Sequence, residues 1–252
     1  MGSIHLLRDS DYPLPDRVYE AYAEAEAIIM EVDMDDLDPI GTQSAVAQLG
    51  MIQDGQTLPD LLGPENYAEA QELSEQLQLP LEMVSGAQPW FAAITVELMM
   101  IMRLGFDPNQ GVEMHFTGLA GEDGKEITGF ETEREQLEML AGLPMDAQVE
   151  MFMQTLRQAT KIEPLMDDMV QAWQTGDVDF MEEEILVPMR ESRELHEVIV
   201  AARNLAWVDD IEALLDDDDD YLIIVGTLHM VGEEGVPELL RARGLEVNQL
   251  SR

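Results

Sequence analysis

Apolar residues follow two patterns along the chain, with short continuous runs near both ends and helical spacing between them. Residues 28–33 and 221–225 are short, apolar and partly β-branched, which predicts two buried strands. Residues 2–7 resemble the end of another strand, and residues 11–26 predict a loop that enters a helix. Strand, helix and strand within about 30 residues are typical of a βαβ unit.

The middle of the chain is rich in alanine, leucine, methionine and glutamine, with prolines as punctuation. Residues 40–104 and 133–215 predict the helical portions of the protein. Between them, residues 111–116 alternate like a strand, residues 122–125 suit a turn, and residues 127–131 suit a second strand. This middle part therefore predicts a β-hairpin.

These elements predict a single α/β domain over residues 1–252. We expect a central mixed sheet, built from βαβ pieces of both chain ends plus the hairpin, together with a large helical segment. Residues 235–243 predict a short helix and residues 245–247 a last strand. With 252 residues, of which 46% are hydrophobic, the chain is long enough to bury one sizeable core.

The charge balance is extreme, with 53 acidic and 13 basic residues and a formal net charge of -40. Such a surface repels nucleic acid and anionic membranes, because both are bound through clusters of lysine and arginine. Self-repulsion also strains the folded state, and salt relieves it. Adaptation to a salty environment and an acidic proteome without any salt requirement both explain the composition.

Several classes of site and segment are excluded by composition. The chain contains no cysteine, which excludes disulfides and thiolate metal sites. No apolar run approaches the roughly 18 residues of a membrane span. A signal peptide is not expected either, because proline and charged residues follow the first residues almost at once.

A repeated Gly-x-x-His motif is the most informative feature of the sequence. His5 ends one copy, and His229 ends the other directly after a predicted strand. Open α/β sheets bind their ligands at the carboxyl ends of the strands, so we expect both imidazoles at that edge. Glu31 and Glu131 end two further predicted strands. Two histidines and one or two glutamates suit a divalent metal that activates water, although a strand-end histidine is also common as a packed or hydrogen-bonded residue.

Three other patterns predict chemistry less well. Glu113 and His115 lie two apart on the predicted hairpin strand and share a face, which suits either a contribution to the site or a surface pair. His196 and Glu197 begin like a zincin helix, but Val200 stands in the place of the second histidine. Residues 216–220 are an aspartate run without the glycine of a calcium loop, which indicates a solvated helix end.

Several motifs, in order along nearly the whole chain, resemble those of the TraB/GumN family, whose animal relatives include the Tiki-type metalloproteases. Glu-x-Asp at the end of the second strand and Arg-Asn with a following tryptophan are among them. The matching segments are residues 2–7 with 11–15, 30–33, 88–90, 111–113, 129–132 with Gln136, Arg203-Asn204 with Trp207, and 225–244.

The resemblance implies a core shared with erythromycin-esterase-like and ChaN-like proteins, and a metal-dependent peptidase activity in the Tiki members. Carried over by position, the metal site would comprise His5, His229, Glu31 and Glu131. Arg203 would stabilise an anion or intermediate, and one of the glutamates would serve as ligand or general base. The divalent metal implied is Mn, Co or Zn.

The resemblance also bears on where the protein works. Relatives are often periplasmic or extracytoplasmic, and they normally have a strand before the first Gly-x-x-His motif. Here Met1 stands at the motif itself, so the N-terminus looks truncated and the compartment stays open.

Two functional hypotheses follow. The first is a metallohydrolase that cleaves an amide or ester bond, with a peptide or protein as its substrate. The second is a protein of the same family that captures a peptide without cleaving it.

Overall fold

A computed structural model describes residues 1–250, and its strands form one four-stranded sheet. The strand order is β1-β4-β2-β3, and neighbouring strands are parallel. Parallel strands point their carboxyl ends to one edge, which is the edge that carries the sequence motifs. The strands are β1 (Gly2–Ser3), β2 (Ala27–Val32), β3 (Glu126–Glu131) and β4 (Tyr221–Gly226).

Helices make up most of the remaining chain, and short π-helical turns interrupt them at residues 46–50, 181–186 and 197–201. In chain order the helices are α1 (Asp16–Glu24), α2 (Pro39–Ala45), α3 (Leu58–Gln76), α4 (Pro89–Arg103), α5 (Val112–Asp123), α6 (Glu133–Ala141), α7 (Met145–Ala159), α8 (Ile162–Thr175), α9 (Val178–Phe180), α10 (Val187–Arg190), α11 (Arg193–His196), α12 (Ala202–Leu214) and α13 (Val236–Ala242).

The chain divides into two compact units. The sheet unit comprises Met1–Leu37, Phe106–Thr132 and Asp167–Arg252, and the helical unit comprises Asp38–Gly105 and Glu133–Met166. The sheet unit contains all four strands and the residues that the sequence analysis proposes for the site.

Apolar side chains of β4 and of two helices form one core of the sheet unit. Trp207, Val208 and Ile211 of α12 are buried together with Val225 of β4 and Val236 of α13. The near-continuous apolar sequence of β2 and β4 is typical of parallel strands that are covered on both faces. This packing holds α12 beside the end of the sheet.

The helical unit has a separate core, to which α3, α4 and α7 all contribute buried side chains. Phe152 and Leu156 of α7 pack in the same cluster as Ala92, Ala93 and Val96 of α4. Apolar residues at helical spacing therefore form the buried faces of these helices, as the sequence predicted.

The expectation of an α/β fold with a central sheet and a large helical segment is confirmed. The expected β-hairpin at residues 111–131 is wrong, because residues 112–123 form α5 and β3 pairs in parallel with β2. Three side chains spaced by four, Val112, Phe116 and Ala120, are fully buried along one face of this helix.

The strand expected at residues 245–247 is also wrong, because these residues adopt no regular secondary structure. The carbonyl oxygen of Val247 accepts hydrogen bonds from the guanidinium of Arg241 at 3.0 and 2.9 Å. These hydrogen bonds turn the segment back on α13. No helix within residues 1–250 combines the length and the apolar character that crossing a bilayer requires.

Replacing Gly111 tests how closely the start of α5 approaches the loop that carries His5. A Cβ atom at Gly111 would overlap the backbone carbonyl of His5, whereas the space beside Gly118 in the same helix is open. We expect Gly111→Ala to lower the free energy of unfolding by about 1–3 kcal/mol through overpacking. Gly118→Ala should raise it by about 0.5–1 kcal/mol, because alanine favours the helix. Denaturant unfolding measures both, and equal effects of the two substitutions would contradict the close approach.

Candidate functional site

The carboxyl edge of the sheet gathers the residues that the sequence singled out. β1 leads into His5, β2 contains Glu31 near its end, β3 ends at Glu131, and β4 leads into a short turn with His229. Arg203 reaches the same edge from the first turn of α12. Residues distant in sequence therefore meet in one place, as the topology of an open parallel sheet predicts.

Arg203 lies at the centre of this group and links two strands. Its Nε donates to both carboxylate oxygens of Glu131 at 3.0 Å, and one terminal nitrogen donates to Glu131 at 2.8 Å and to Glu31 at 2.5 Å. The arginine side chain is 9% exposed and the two glutamates are 13% exposed. Burial alone would lower the pKa of the guanidinium, but the two carboxylates raise it, so this cation stays charged.

Glu131 has a further partner that fixes its orientation. The indole N–H of Trp207 donates to Glu131 at 3.0 Å, and the Arg203 guanidinium lies 4.7 Å above the Trp207 ring. The ring of Phe130 stacks on that of Trp207, with ring centroids 5.3 Å apart. Glu131 therefore bonds Arg203 and Trp207, and these contacts hold the guanidinium in place.

Glu31 is held in its ionised form. One carboxylate oxygen accepts from the backbone N–H of Gly226 at 2.6 Å, and the other accepts from Arg203. Burial opposes ionisation, but the positive charges of Arg203 and His5, with the Gly226 N–H, lower the pKa of Glu31 to about 2. At neutral pH this carboxylate carries its full negative charge.

His229 is buried and electrically neutral. Its Nδ1 lies 2.6 Å from Oδ1 of Asn204, whose amide nitrogen donates to the carbonyl oxygen of Glu234 at 2.7 Å. The other ring nitrogen, Nε2, accepts from Arg203 at 3.2 Å, since a guanidinium can only donate. Burial lowers the pKa of His229 to about 4, and the positive charge of Arg203 contributes. The ring therefore carries its proton on Nδ1 and a lone pair on Nε2.

His5 differs from His229 in exposure and in charge. Its Nδ1 lies 2.8 Å from a carboxylate oxygen of Glu113, and 60% of the His5 side chain is accessible. Burial by surrounding atoms opposes protonation, but the carboxylate of Glu113 raises the pKa of His5 to about 9.

The space above Gly226 is where these groups converge. A Cβ atom at Gly226 would lie 3.1 Å from Oε1 of Glu31, 3.2 Å from Nε2 of His5 and 3.6 Å from Cδ2 of His229. Oε1 of Glu31 also lies 3.7 Å from Nε2 of His229. Glycine at this position leaves open the point that the two imidazoles and the carboxylate surround.

The imidazole nitrogens of His5 and His229 and the carboxylate of Glu31 are chemically suited to bind a divalent cation. Each imidazole engages Nδ1 with a protein acceptor, which is how histidines that ligate metals are usually held. Nε2 of His229 lies 3.7 Å from Oε1 of Glu31, and Nε2 of His5 lies at the point above Gly226. Imidazole nitrogen and carboxylate oxygen are ligands that zinc and related ions accept. Within residues 1–250, however, no three histidine or acidic side chains already stand in ligand geometry. Arg203 bonds both glutamates, so a cation would share Glu31 with it.

Comparison with known proteins identifies the family of the chain. The model of the TraB/PrgY/gumN family matches residues 1–249. The chain belongs to this family.

The TraB/PrgY/gumN member of Escherichia coli (strain K12) described as uncharacterized protein YbaP is 26% identical over 242 residues. That match covers 96% of this chain and 86% of the relative. The protein of the same description from Shigella flexneri matches with the same identity and coverage. No solved structure matches the chain.

The five candidate site residues of this TraB/PrgY/gumN chain lie together at one edge of the sheet. His5, His229 and Glu31 surround the point above Gly226, and Arg203 joins Glu31 to Glu131. Their roles as metal ligands and catalytic groups stay predictions.

Glu113 and Asn204 are site residues whose contacts the sequence analysis did not predict. Glu113 was grouped with His115 on a hairpin strand, but α5 separates the two side chains, and the ring of His115 packs against Tyr12 at 4.9 Å. The helical spacing of residues 112, 116 and 120 was the signal for α5. Asn204 entered only as part of a motif, and nothing in the pattern indicated that it contacts His229.

The other histidine singled out from the sequence lies outside the group at Gly226. His196 is buried on α11, and its Nε2 lies 3.6 Å from a carboxylate oxygen of Glu234. It has no second helical histidine beside it, as the sequence pattern indicated.

Replacing Arg203 tests the hydrogen-bond network that links Glu31 of β2 to Glu131 of β3. Arg203→Met should lower the free energy of unfolding by about 3–5 kcal/mol, because two buried carboxylates lose their cation. The matched control is Arg157→Met, which removes an exposed bidentate pair with Glu69 at 2.7 and 2.9 Å. We expect about 1 kcal/mol or less there. Denaturant unfolding distinguishes the two, and a loss at Arg203 as small as that at Arg157 would refute a central role for this cation.

Proposed function

We propose that this protein is a metal-dependent hydrolase that cleaves peptide or ester bonds, with a peptide or protein as its substrate. The observation that carries the proposal is the convergence of Nε2 of His5, Oε1 of Glu31 and the ring of His229 around the open point above Gly226, with Nε2 of His229 3.7 Å from Oε1 of Glu31. Membership of the TraB/PrgY/gumN family is consistent with it.

In this proposal His5, His229 and Glu31 hold the cation, which is Mn, Co or Zn. Binding displaces the Nε2 proton of His5 and the hydrogen bond that Arg203 donates to Nε2 of His229. A bound divalent ion polarises a carbonyl and lowers the pKa of a bound water. Glu31 suits the ligand role better than that of general base, because a carboxylate with a pKa of about 2 accepts protons poorly near neutral pH.

Arg203 and Glu131 have electrostatic roles in the proposal. Arg203 directs a guanidinium toward Glu31 and His229, so it supplies positive charge where an oxyanion would develop. Glu131 accepts from Arg203 and Trp207 and thereby holds the guanidinium. We therefore assign Glu131 to the support of Arg203 in preference to the ligand role expected from the sequence.

A protein that captures peptides without cleaving them is the second candidate. One observation favours it, which is that Arg203 already pairs with both glutamates and would compete with a metal ion for Glu31. In that case the histidines have structural roles, and peptide binding would not require a cation.

Metal binding tests the ligand assignment. Protein stripped with a chelator and titrated with Mn²⁺, Co²⁺ or Zn²⁺ in a calorimeter should bind stoichiometrically. His229→Ala should abolish this binding, because it removes a nitrogen ligand. The matched control is His115→Phe, which keeps an aromatic ring beside Tyr12 and should bind like the wild type. Undiminished binding by His229→Ala would remove His229 from the ligand set.

Hydrolysis tests the enzyme proposal separately. We expect the metal-loaded protein to cleave members of a fluorogenic peptide library or p-nitrophenyl esters. Chelation should reduce the rate to background and added metal should restore it, because the ion supplies the activated water. A rate that survives complete removal of metal would contradict the proposal, and peptide binding without cleavage would favour capture.

A further inference from the structure

Packing alone does not hold the ring of His5. The residue lies in the loop after the short strand β1, and 60% of its side chain is accessible. His229, by contrast, is buried against the ring of Trp207 at 4.5 Å and bonded to Asn204. An accessible side chain samples several rotamers unless a hydrogen bond selects one.

Glu113 supplies that hydrogen bond from a rigid position. It lies in the first turn of α5, is 8% exposed, and receives a hydrogen bond from the hydroxyl of Ser3. The N-terminus of a helix favours a negative charge, so the carboxylate is stabilised where it stands. The same residue accepts at 2.8 Å from Nδ1 of His5.

The start of α5 is in turn tied to the loop of His5. The backbone N–H of Val112 donates to the carbonyl oxygen of Ile4 at 3.1 Å, and Gly111 lies against the backbone of His5. The carboxylate and the imidazole therefore belong to one closely packed piece of structure. Because Glu113 engages Nδ1, the ring must turn its Nε2 toward the point above Gly226.

We propose that Glu113 is the positioning residue of the site, which selects the ring orientation of His5 and directs Nε2 at the point shared with Glu31 and His229. The expected effect of Glu113 on metal affinity rests on the proposed function, in which His5 is a metal ligand. Carboxylates that orient a ligating histidine typically change metal affinity by about 10–100-fold when they are removed.

The experiment compares Glu113→Ala with Glu113→Gln, whose amide oxygen can still accept from Nδ1. Glu122→Ala, at the exposed end of the same helix, is the matched control. In metal-free protein, ¹H–¹⁵N spectra of the histidine side chains should show a slowly exchanging Nδ1–H of His5 in the wild type, in Glu113→Gln and in Glu122→Ala. The signal should be lost in Glu113→Ala. His5→Ala assigns it.

Metal affinity is the second measurement. Glu113→Ala should bind the cation about 10–100-fold more weakly than the wild type. Glu113→Gln should recover most of this loss, and Glu122→Ala should match the wild type. If Glu113→Ala fails to fold, Ser3→Ala replaces it, because it removes the hydroxyl that anchors Glu113 and should broaden the His5 signal.

The outcomes separate this inference from the proposed function. If Glu113→Ala retains the protected His5 signal, the inference is overturned whether or not metal binds. The same holds if Glu113→Ala binds metal as tightly as the wild type. If the wild type binds no metal while the His5 signal depends on Glu113, the proposed function fails and the positioning role stands.

Discussion

The structure at the sheet edge depends on one buried cation. Arg203 is 9% exposed and bonds carboxylates from two neighbouring strands, Glu31 of β2 and Glu131 of β3. Buried carboxylates without a counter-charge are costly, and here a single guanidinium bonds both. It also contacts Nε2 of His229, the carbonyl oxygen of Ile199 and the face of Trp207, so α12 supplies the cation that links the ends of β2 and β3.

This dependence is sharpened by the composition of the chain. With a formal net charge of -40, carboxylates repel one another across the surface, and cations are scarce. The bidentate geometry of arginine suits two carboxylates better than the point charge of lysine would. Salt screens the exposed repulsion but acts weakly on buried pairs, so ionic strength should affect the surface more than the site.

The sequence predicted the fold where the apolar pattern was unambiguous. β2 and β4 are continuous apolar runs, and the residues after them were correctly expected at the carboxyl edge. Residues 111–116 misled because apolar and polar residues alternate there over a short window, while the helical spacing becomes visible only when residue 120 is included.

The candidate site was predictable in its members and unpredictable in its contacts. Motif resemblance brought Glu31, Glu131, Arg203 and both histidines together. It could not show that Arg203 bonds both glutamates, because that pairing depends on how α12 packs against β4. Nor could it show that Glu113 contacts His5, because this follows from a helix that the alternating pattern concealed.

The two Gly-x-x-His motifs explain each other once β1 and β4 are paired. Ser3 lies opposite Gly226 in the sheet, so the motifs run side by side in the same direction. A Cβ atom at Gly2 would lie 2.9 Å from the hydroxyl of Thr227 in the second motif, and a Cβ atom at Gly226 would lie 3.2 Å from Nε2 of His5 in the first. Each glycine therefore makes room for a side chain of the other copy. The repetition in the sequence reflects this reciprocal approach, which a single motif on a single strand would not require.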